Sequence, residues 1–384
     1  MTEMSSRQRV ITALAHQEPD RIPWDCTFSY GCYLRLKKHL GLTPRQDPQP
    51  SSNWLSISPP IELLQELQCD LYYVGLGKAK NTPVFEYGME AYTDAWGVTF
   101  RRAPNPSGFH YEFARHPLAH ATVKDLDDYP WPDPHDPARV AGLEERCHWL
   151  YENTDFALVG KFSESIFEQA FYLRGLEQWL VDLAADPEFA EALMDRLVDI
   201  SIAMTEVGLK ACGKYIQVLR LAGDDMGHQH GTILSPKMFR KLVKPRFARL
   251  YHAAKSMFRT YNPNGKLKAH TDGNVYPFIE DYIELGLDVL NPVQPYVDEM
   301  DHTRLKSQFG DRLAFHGGID IQNVLPFGTP IEVNAEAKKT MAALGQGGGY
   351  ILAPTHYVQP DVPPENILAL RDAVLEHGRY PLSR

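Results

Sequence analysis

The stretch KLKAHTDGN, residues 266–274, sets His270 and Asp272 two positions apart at the end of an apolar run. A second imidazole, His356, follows a later run in APTHYVQPDVPPEN. Two imidazoles and a carboxylate are the protein ligands of a catalytic zinc site that keeps one position open. They are equally the set of an iron(II) facial triad. Taken alone, the pair has a plainer reading, in which Asp272 caps a helix beginning near Val275 and His270 bonds a neighbour. The metal reading requires the three side chains to meet in space.

Other apolar runs also end in polar residues. Asp224 and Asp225 in LRLAGDDMGHQHG suit substrate contact or general-base work, or are solvated carboxylates of a loop. His228 and His230 lack the i, i+4 spacing of a helical metal site. Asn291 and Gln294 in LNPVQP lie in a turn stiffened by Pro292 and Pro295. Such amides bond a substrate, hold a metal ligand in place, or satisfy the turn's own backbone. His316 and Asp320 in LAFHGGID complete the set as substrate-binding candidates. GQGGGY leaves a helix and enters a strand, the reverse of a phosphate cradle, and reads as a flexible turn. No G-x-S-x-G elbow and no P-loop occur.

The elements that must position these residues are most regular from Ala157 onward. Six strand–helix units alternate there, which implies parallel strands with right-handed crossovers. DPEFAEALMDRLVDISIAMTEVGLKACG is a helix with Asp186 as N-cap, Pro187 at its first position and Gly213 as terminator. A second long helix starts at Ser235 and should kink at Pro245. Residues 1–156 are less regular. An opening helix puts Val10, Ile11 and Leu14 on one face, PDRIPWD breaks it, a loop rich in Pro and Ser spans 46–60, and VFEYGMEAYTDAWGVTFRR reads as short antiparallel strands. The expectation is an α/β fold, a (β/α)8 TIM-type barrel with an irregular N-terminal extension, forming a single domain over 1–384. An open doubly wound sheet is the competitor. In a barrel all the polar strand ends face one mouth. In an open sheet only those at the switch point meet.

Composition narrows the classes. The formal net charge is −10 with no basic cluster, against nucleic acid and anionic membranes as partners. Five irregularly spaced cysteines without a CxxC argue against a disulfide framework or structural zinc. With a polar N-terminus lacking a signal-like apolar stretch, they suggest a cytoplasmic protein.

Several stretches resemble the uroporphyrinogen decarboxylase superfamily, which also contains cobalamin-dependent methyltransferases. They are RQRVITALAHQEPDRIPWD, LAGDDMGHQHGTILSPKMFRKLVKPRF, HTDGNVYPFIEDYIELGLDVLNPVQP, FGDRLAFHGGID and GGGYILAPTHYVQPDVPPENILAL, in family order over most of the chain. The resemblance implies a (β/α)8 barrel. Methyltransferase members carry H-x-C where this chain has HTD, and a second Cys in the position of His356. Those residues hold zinc, so the resemblance places a metal, zinc or another divalent ion, on His270, Asp272 and His356. Replacing two thiolates by a carboxylate and an imidazole removes one negative charge and leaves a stronger Lewis acid, suited to polarising an ether or alcohol oxygen. True decarboxylases carry a Gly-His that His356 matches, and an Arg-rich N-terminal segment that is absent here.

A mouth rich in Asp, His and amides, with fewer than about three Arg or Lys, suits a metal better than a polycarboxylate. The reading preferred on these grounds is metal-dependent methyl transfer from a small methylated substrate to a separate corrinoid protein. DMGHQHG is out of register with the cobalamin-binding signature, so cobalamin enters only through that partner. Asp224, Asp225 and His356 are the catalytic candidates. The alternatives are a cofactor-free decarboxylase using Asp and His as acid–base groups, and a non-catalytic binding protein on the same fold.

Overall fold

The computed structural model describes residues 3–51 and 54–382. Seven parallel strands lie side by side in chain order: Leu71–Gly75, Ala157–Lys161, Val218–Arg220, Lys266–His270, Val289–Val293, Ala314–Ile319 and Tyr350–Pro354. The strand Ala314–Ile319 is buried at every position, as expected where helices cover the outside and side chains fill the inside. The ring is closed by the segment around Trp24. Trp24 bridges Leu352 in parallel and Phe28 bridges Val358. On the other side Asp70 N–H donates to Trp24 O. PDRIPWD is therefore more than a helix break, because it leads into the eighth staple of a closed (β/α)8 barrel, and the open doubly wound sheet is excluded.

A buried carboxylate fastens this closure. Asp70, just ahead of the first strand, accepts from Arg9 Nη1 at 2.7 Å, Arg21 Nη1 at 2.7 Å and Trp24 N–H at 2.9 Å. Arg9 reaches it from the opening helix Ser6–Leu14, whose Val10 and Leu14 pack against Leu71, Val159, Val218 and Ile351 at the starts of the strands. That helix plugs the N-terminal end of the barrel. Ile11, expected on the same face, is 45% exposed, because the plug has room only for the narrow stripe of Val10, Ala13 and Leu14.

The helix Pro187–Cys212 forms as its caps predict, with the Asp186 side chain accepting from Phe189 N–H. The helix after Ser235 differs. It opens with Pro236–Met238, widens into a π turn over Phe239–Val243, and resumes as Lys244–Tyr261. Pro245 has no N–H to give the preceding turn, and the widened turn just before it absorbs that loss, where a kink at the proline itself was expected. The antiparallel strands of the front part are present, Ala91–Thr93, Thr99–Asn105 and Gly108–Arg115. The GQGGGY turn is pinned by Gly349 N–H donating to Ala13 O. All five cysteines are free and buried. Among the described residues no helix is long and apolar enough to cross a membrane.

Two polar strand-end residues serve this scaffold, not the mouth. Asp224 is buried and accepts from the N–H groups of Ile166, Phe167 and Glu168 at 2.5–3.0 Å, fixing the start of the helix Phe167–Arg174. Asp320 accepts from Gln322, Asn323 and Val324 N–H in the same manner. Both were expected at the site. Unsatisfied backbone donors at helix starts claim them instead.

Asp70→Ala leaves two buried guanidinium groups without their shared carboxylate, and should destabilise the protein by about 3–5 kcal/mol. Urea unfolding checks this, and a loss below about 1 kcal/mol contradicts the closing role of Asp70.

Candidate functional site

A cavity of about 710 Å³ opens over the C-terminal ends of the strands. Asn291, His316, His270 and Arg220 come up from the strands themselves, and Ser56, Trp54 and Tyr357 from loops above them. His270 ends the fourth strand and His356 lies just beyond the seventh. Three strand spacings separate these on a flat sheet, roughly 14 Å at about 4.8 Å each. Curvature removes that separation. Donor atoms of His270, Asp272 and His356 all lie within 4.8 Å of one another.

Each side chain is held by its surroundings. His270 Nδ1 lies 3.0 Å from Asn291 Oδ1, and Asn291 Nδ2 donates to His316 O. The amide therefore presents its oxygen to the ring, Nδ1 carries a proton, and Nε2 is the nitrogen turned to the cavity. Asp272 is placed by its own N–H, which donates to Asp225 Oδ1 at 2.8 Å. Gly273 follows with φ +80°, and a Cβ there would stand 2.4 Å from the Gly227 backbone. Gln294 Oε1 accepts from Gly273 N–H, so it supports this loop without lining the cavity. Asp272 caps no helix. The Asn274 side chain closes a local turn ahead of Tyr276, accepting from Tyr276 N–H. His356 lies with its ring 5.8 Å from that of His270 and edge-on to Trp54.

Electrostatics links the three. Burial alone would lower the His270 pKa, but the Asp272 carboxylate, 3.6 Å from Nε2, outweighs it and raises it. Burial would raise Asp272, and His270 with His356 holds it below the usual range. Burial and the neighbouring His270 push His356 down to about 4, so its ring is neutral. Asp225 lines the cavity 4.0 Å from His270 Nε2 and is raised by burial and Asp272. Glu168 is held well above the usual carboxylate range by burial, then by Asp225, Asp224 and Asp272. Gly223 permits this crowding, since a Cβ there would stand 2.8 Å from His270 Cδ2 and 3.5 Å from Glu168 Oε2.

Below lies a polar floor that sequence reasoning missed. Lys268 Nζ donates to Tyr73 Oη at 2.9 Å and to His316 Nδ1 at 3.1 Å. His316 Nε2 stands 3.2 Å from Asp25 Oδ2, which also accepts from Tyr73 O–H. Burial and then Lys268 lower His316 to about 4, and burial lowers Lys268 to about 7. His316, expected to bind substrate, is thus committed to this network at the bottom of the cavity. A signal for Lys268 was present. In KLKAH it shares the inward face of His270 at the two-residue period of a strand.

The cavity also holds more positive charge than expected. Lys78, Arg139, Lys161 and Arg220 line it, against the carboxylates of Asp25, Asp94, Glu164, Glu168, Asp225 and Asp272. Lys161 first, with Arg220 and His270, draws the Tyr357 phenol down to about 7 against its burial. A charged residue at the end of a buried strand, as in ALVGK and QVLR, was the available sign.

Comparison with known proteins places this geometry. A uroporphyrinogen decarboxylase of Actinobacillus pleuropneumoniae is 25% identical over 260 residues, covering 66% of this chain and 68% of that protein. One from Azoarcus sp. strain BH72 is 35% identical over 80 residues, 21% of this chain and 22% of its own. Among solved structures, a methyltransferase from Methanosarcina mazei superposes with a TM-score of 0.66 at 20% identity, covering 97% of this chain and 99% of that one, a likeness of fold. The family Uroporphyrinogen decarboxylase (URO-D) matches residues 107–377, from the last strand of the antiparallel sheet to the end of the final helix. With well over half of its length matched and its strand ends gathered at one barrel mouth, the chain belongs to the uroporphyrinogen decarboxylase (URO-D) family.

Proposed function

We propose that the chain is a metal-dependent methyltransferase of this family, demethylating a small methylated substrate and passing the methyl group to a corrinoid carried by a separate protein. The observation that carries this reading is the meeting of His270, Asp272 and His356 donor atoms within 4.8 Å inside the cavity. The donor set fits zinc or another divalent ion: one carboxylate, one neutral imidazole, and a second imidazole whose proton is fixed on the far nitrogen. When bound, such a metal supplies Lewis acidity to the heteroatom that bears the methyl group.

The chain's own residues do the rest. Asn291 orients His270, and Asp225 holds the loop that presents Asp272. Glu168 lines the same cavity, with its pKa raised by burial and Asp225, and is the candidate to give up the proton that the heteroatom takes as the methyl group leaves. The separate corrinoid protein and the small substrate are the partners this reading requires. A cofactor-free decarboxylase is the second reading. The names of the sequence relatives and the four cavity cations favour it. Asp25, Asp225 and Asp272, which face the same cavity, weigh against a polycarboxylate guest, because buried like charges repel.

Three outcomes are expected. Purified protein should carry about one equivalent of zinc or another divalent ion. Chelation should abolish methyl transfer to cob(I)alamin, added metal should restore it, and Asp272→Ala should lose the metal while staying folded. Uroporphyrinogen turnover that survives both chelator and Asp272→Ala would overturn the proposal.

Metal binding displaces a proton from His270, whose pKa is raised. Affinity should be full above that pKa and fall by about tenfold per pH unit below it. The fall should begin at a higher pH than for an ordinary imidazole near 6.5. A chelator-competition titration across the neutral range reads this, and a flat profile speaks against His270 as a ligand.

Asp224→Asn and Asp225→Asn should separate. The first should cost about 1–3 kcal/mol of stability, because one acceptor becomes a donor among three N–H groups. The second should leave unfolding nearly unchanged while lowering turnover. Equal effects in both assays contradict the division of labour between them.

A further inference from the structure

We infer that the substrate is a monocarboxylate, its carboxylate held by Lys161 and Arg220 and its methyl group presented to the His270–Asp272–His356 set. This deepens the methyl-transfer reading, and rests on it for the placement of the methyl group.

Lys161 and Arg220 end adjacent strands and are direct partners in register, so both project to the same side of the sheet, into the cavity. The other cations nearby are occupied or peripheral. Arg139 Nε donates to Asp133 O, Lys268 is tied to Tyr73 and His316, and Lys78 is exposed at the rim. Lys161 and Arg220 are only half exposed, and among the described residues neither side chain makes a hydrogen bond or a close ion pair, although both act at longer range on Tyr357. The Tyr357 phenol and the cavity carboxylates feel both charges without bonding either side chain, so an anion between the two cations makes the direct contacts that the protein leaves unmade.

The chemistry of that anion follows from its neighbours. Arg220 offers a planar fork that matches a carboxylate. Asp225 and Asp272 face the same cavity, so one negative charge suits this corner better than the two of a phosphate monoester. The reach is short. The Arg220 and Lys161 strands lie one and two places from the His270 strand, about 5–10 Å across. One aromatic ring spans that distance, and Phe162, Tyr172, Phe85 and Trp96 line the same space.

The test is calorimetric binding of 4-methoxybenzoate, its neutral amide 4-methoxybenzamide, and 4-methoxyphenyl phosphate. The full chain is used, both zinc-loaded and stripped with chelator. The carboxylate should bind at least about tenfold tighter than the amide, and tighter than the phosphate, in both forms. Arg220→Gln and Lys161→Gln should each lose most of that preference while binding the amide as before. Arg220→Lys should keep part of it, and melting curves confirm that the variants fold. Equal binding of amide and carboxylate, tightest binding of the phosphate, absence of carboxylate binding, or a preference that persists in both Gln variants overturns the inference. Because the stripped protein is included, failure of the metal mechanism alone leaves the charge preference standing, and loss of the preference leaves metal-dependent transfer of a neutral substrate intact.

Discussion

Closure of the parallel sheet is the constraint on which everything else depends. His270 and His356 lie three strands apart, a separation no side chain bridges in a flat sheet. They meet only because the segment around Trp24 joins the last strand to the first and bends the sheet into a ring. That segment forms isolated bridges and no continuous ladder, so side chains add to its few backbone bonds in holding it in place. Asp70, Arg9 and Arg21 provide the attachment, and the opening helix plugs the end opposite the mouth. The charge network at one end of the barrel and the imidazoles at the other are thus parts of one construction.

Inside that ring the polar residues lie at different depths. The Asp25–His316–Lys268–Tyr73 network forms a floor whose hydrogen bonds are mutually satisfied. His270, Asp272 and His356 stand above it, with Asn291 bridging the two by touching His270 on one side and the His316 backbone on the other. A buried polar network satisfied in this way is rigid, and rigidity is what a metal site with fixed donor positions requires.

Much of the barrel was legible because strand–helix alternation and helix caps are local signals. Asp186, Pro187 and Gly213 bound a helix at the expected residues, and six of the seven strands follow from their apolar runs. The convergence of His270, Asp272 and His356 was legible because strand ends in a barrel share a mouth. What was not legible depends on contacts between distant segments. Asp224 and Asp320 have the same residue type and strand-end position as Asp225, yet they serve backbone donors that only the folded chain brings to them. Asp25 is far from Lys268 and His316 in sequence, and nothing local marks it as their partner. Lys161, Arg220 and Lys268 did leave a trace, as charged residues in strands otherwise apolar, and weighing that trace would have corrected the expected shortage of cations.

A metal on His270, Asp272 and His356 would meet only oxygen and nitrogen donors, in a position where the resemblance to methyltransferases implies sulfur. X-ray absorption at the zinc edge of the reconstituted protein measures this directly. It should report nitrogen and oxygen scatterers at about 2.0–2.1 Å with imidazole outer-shell features and no sulfur. A sulfur shell near about 2.3 Å, or a hydrated ion without imidazole scattering, would contradict it.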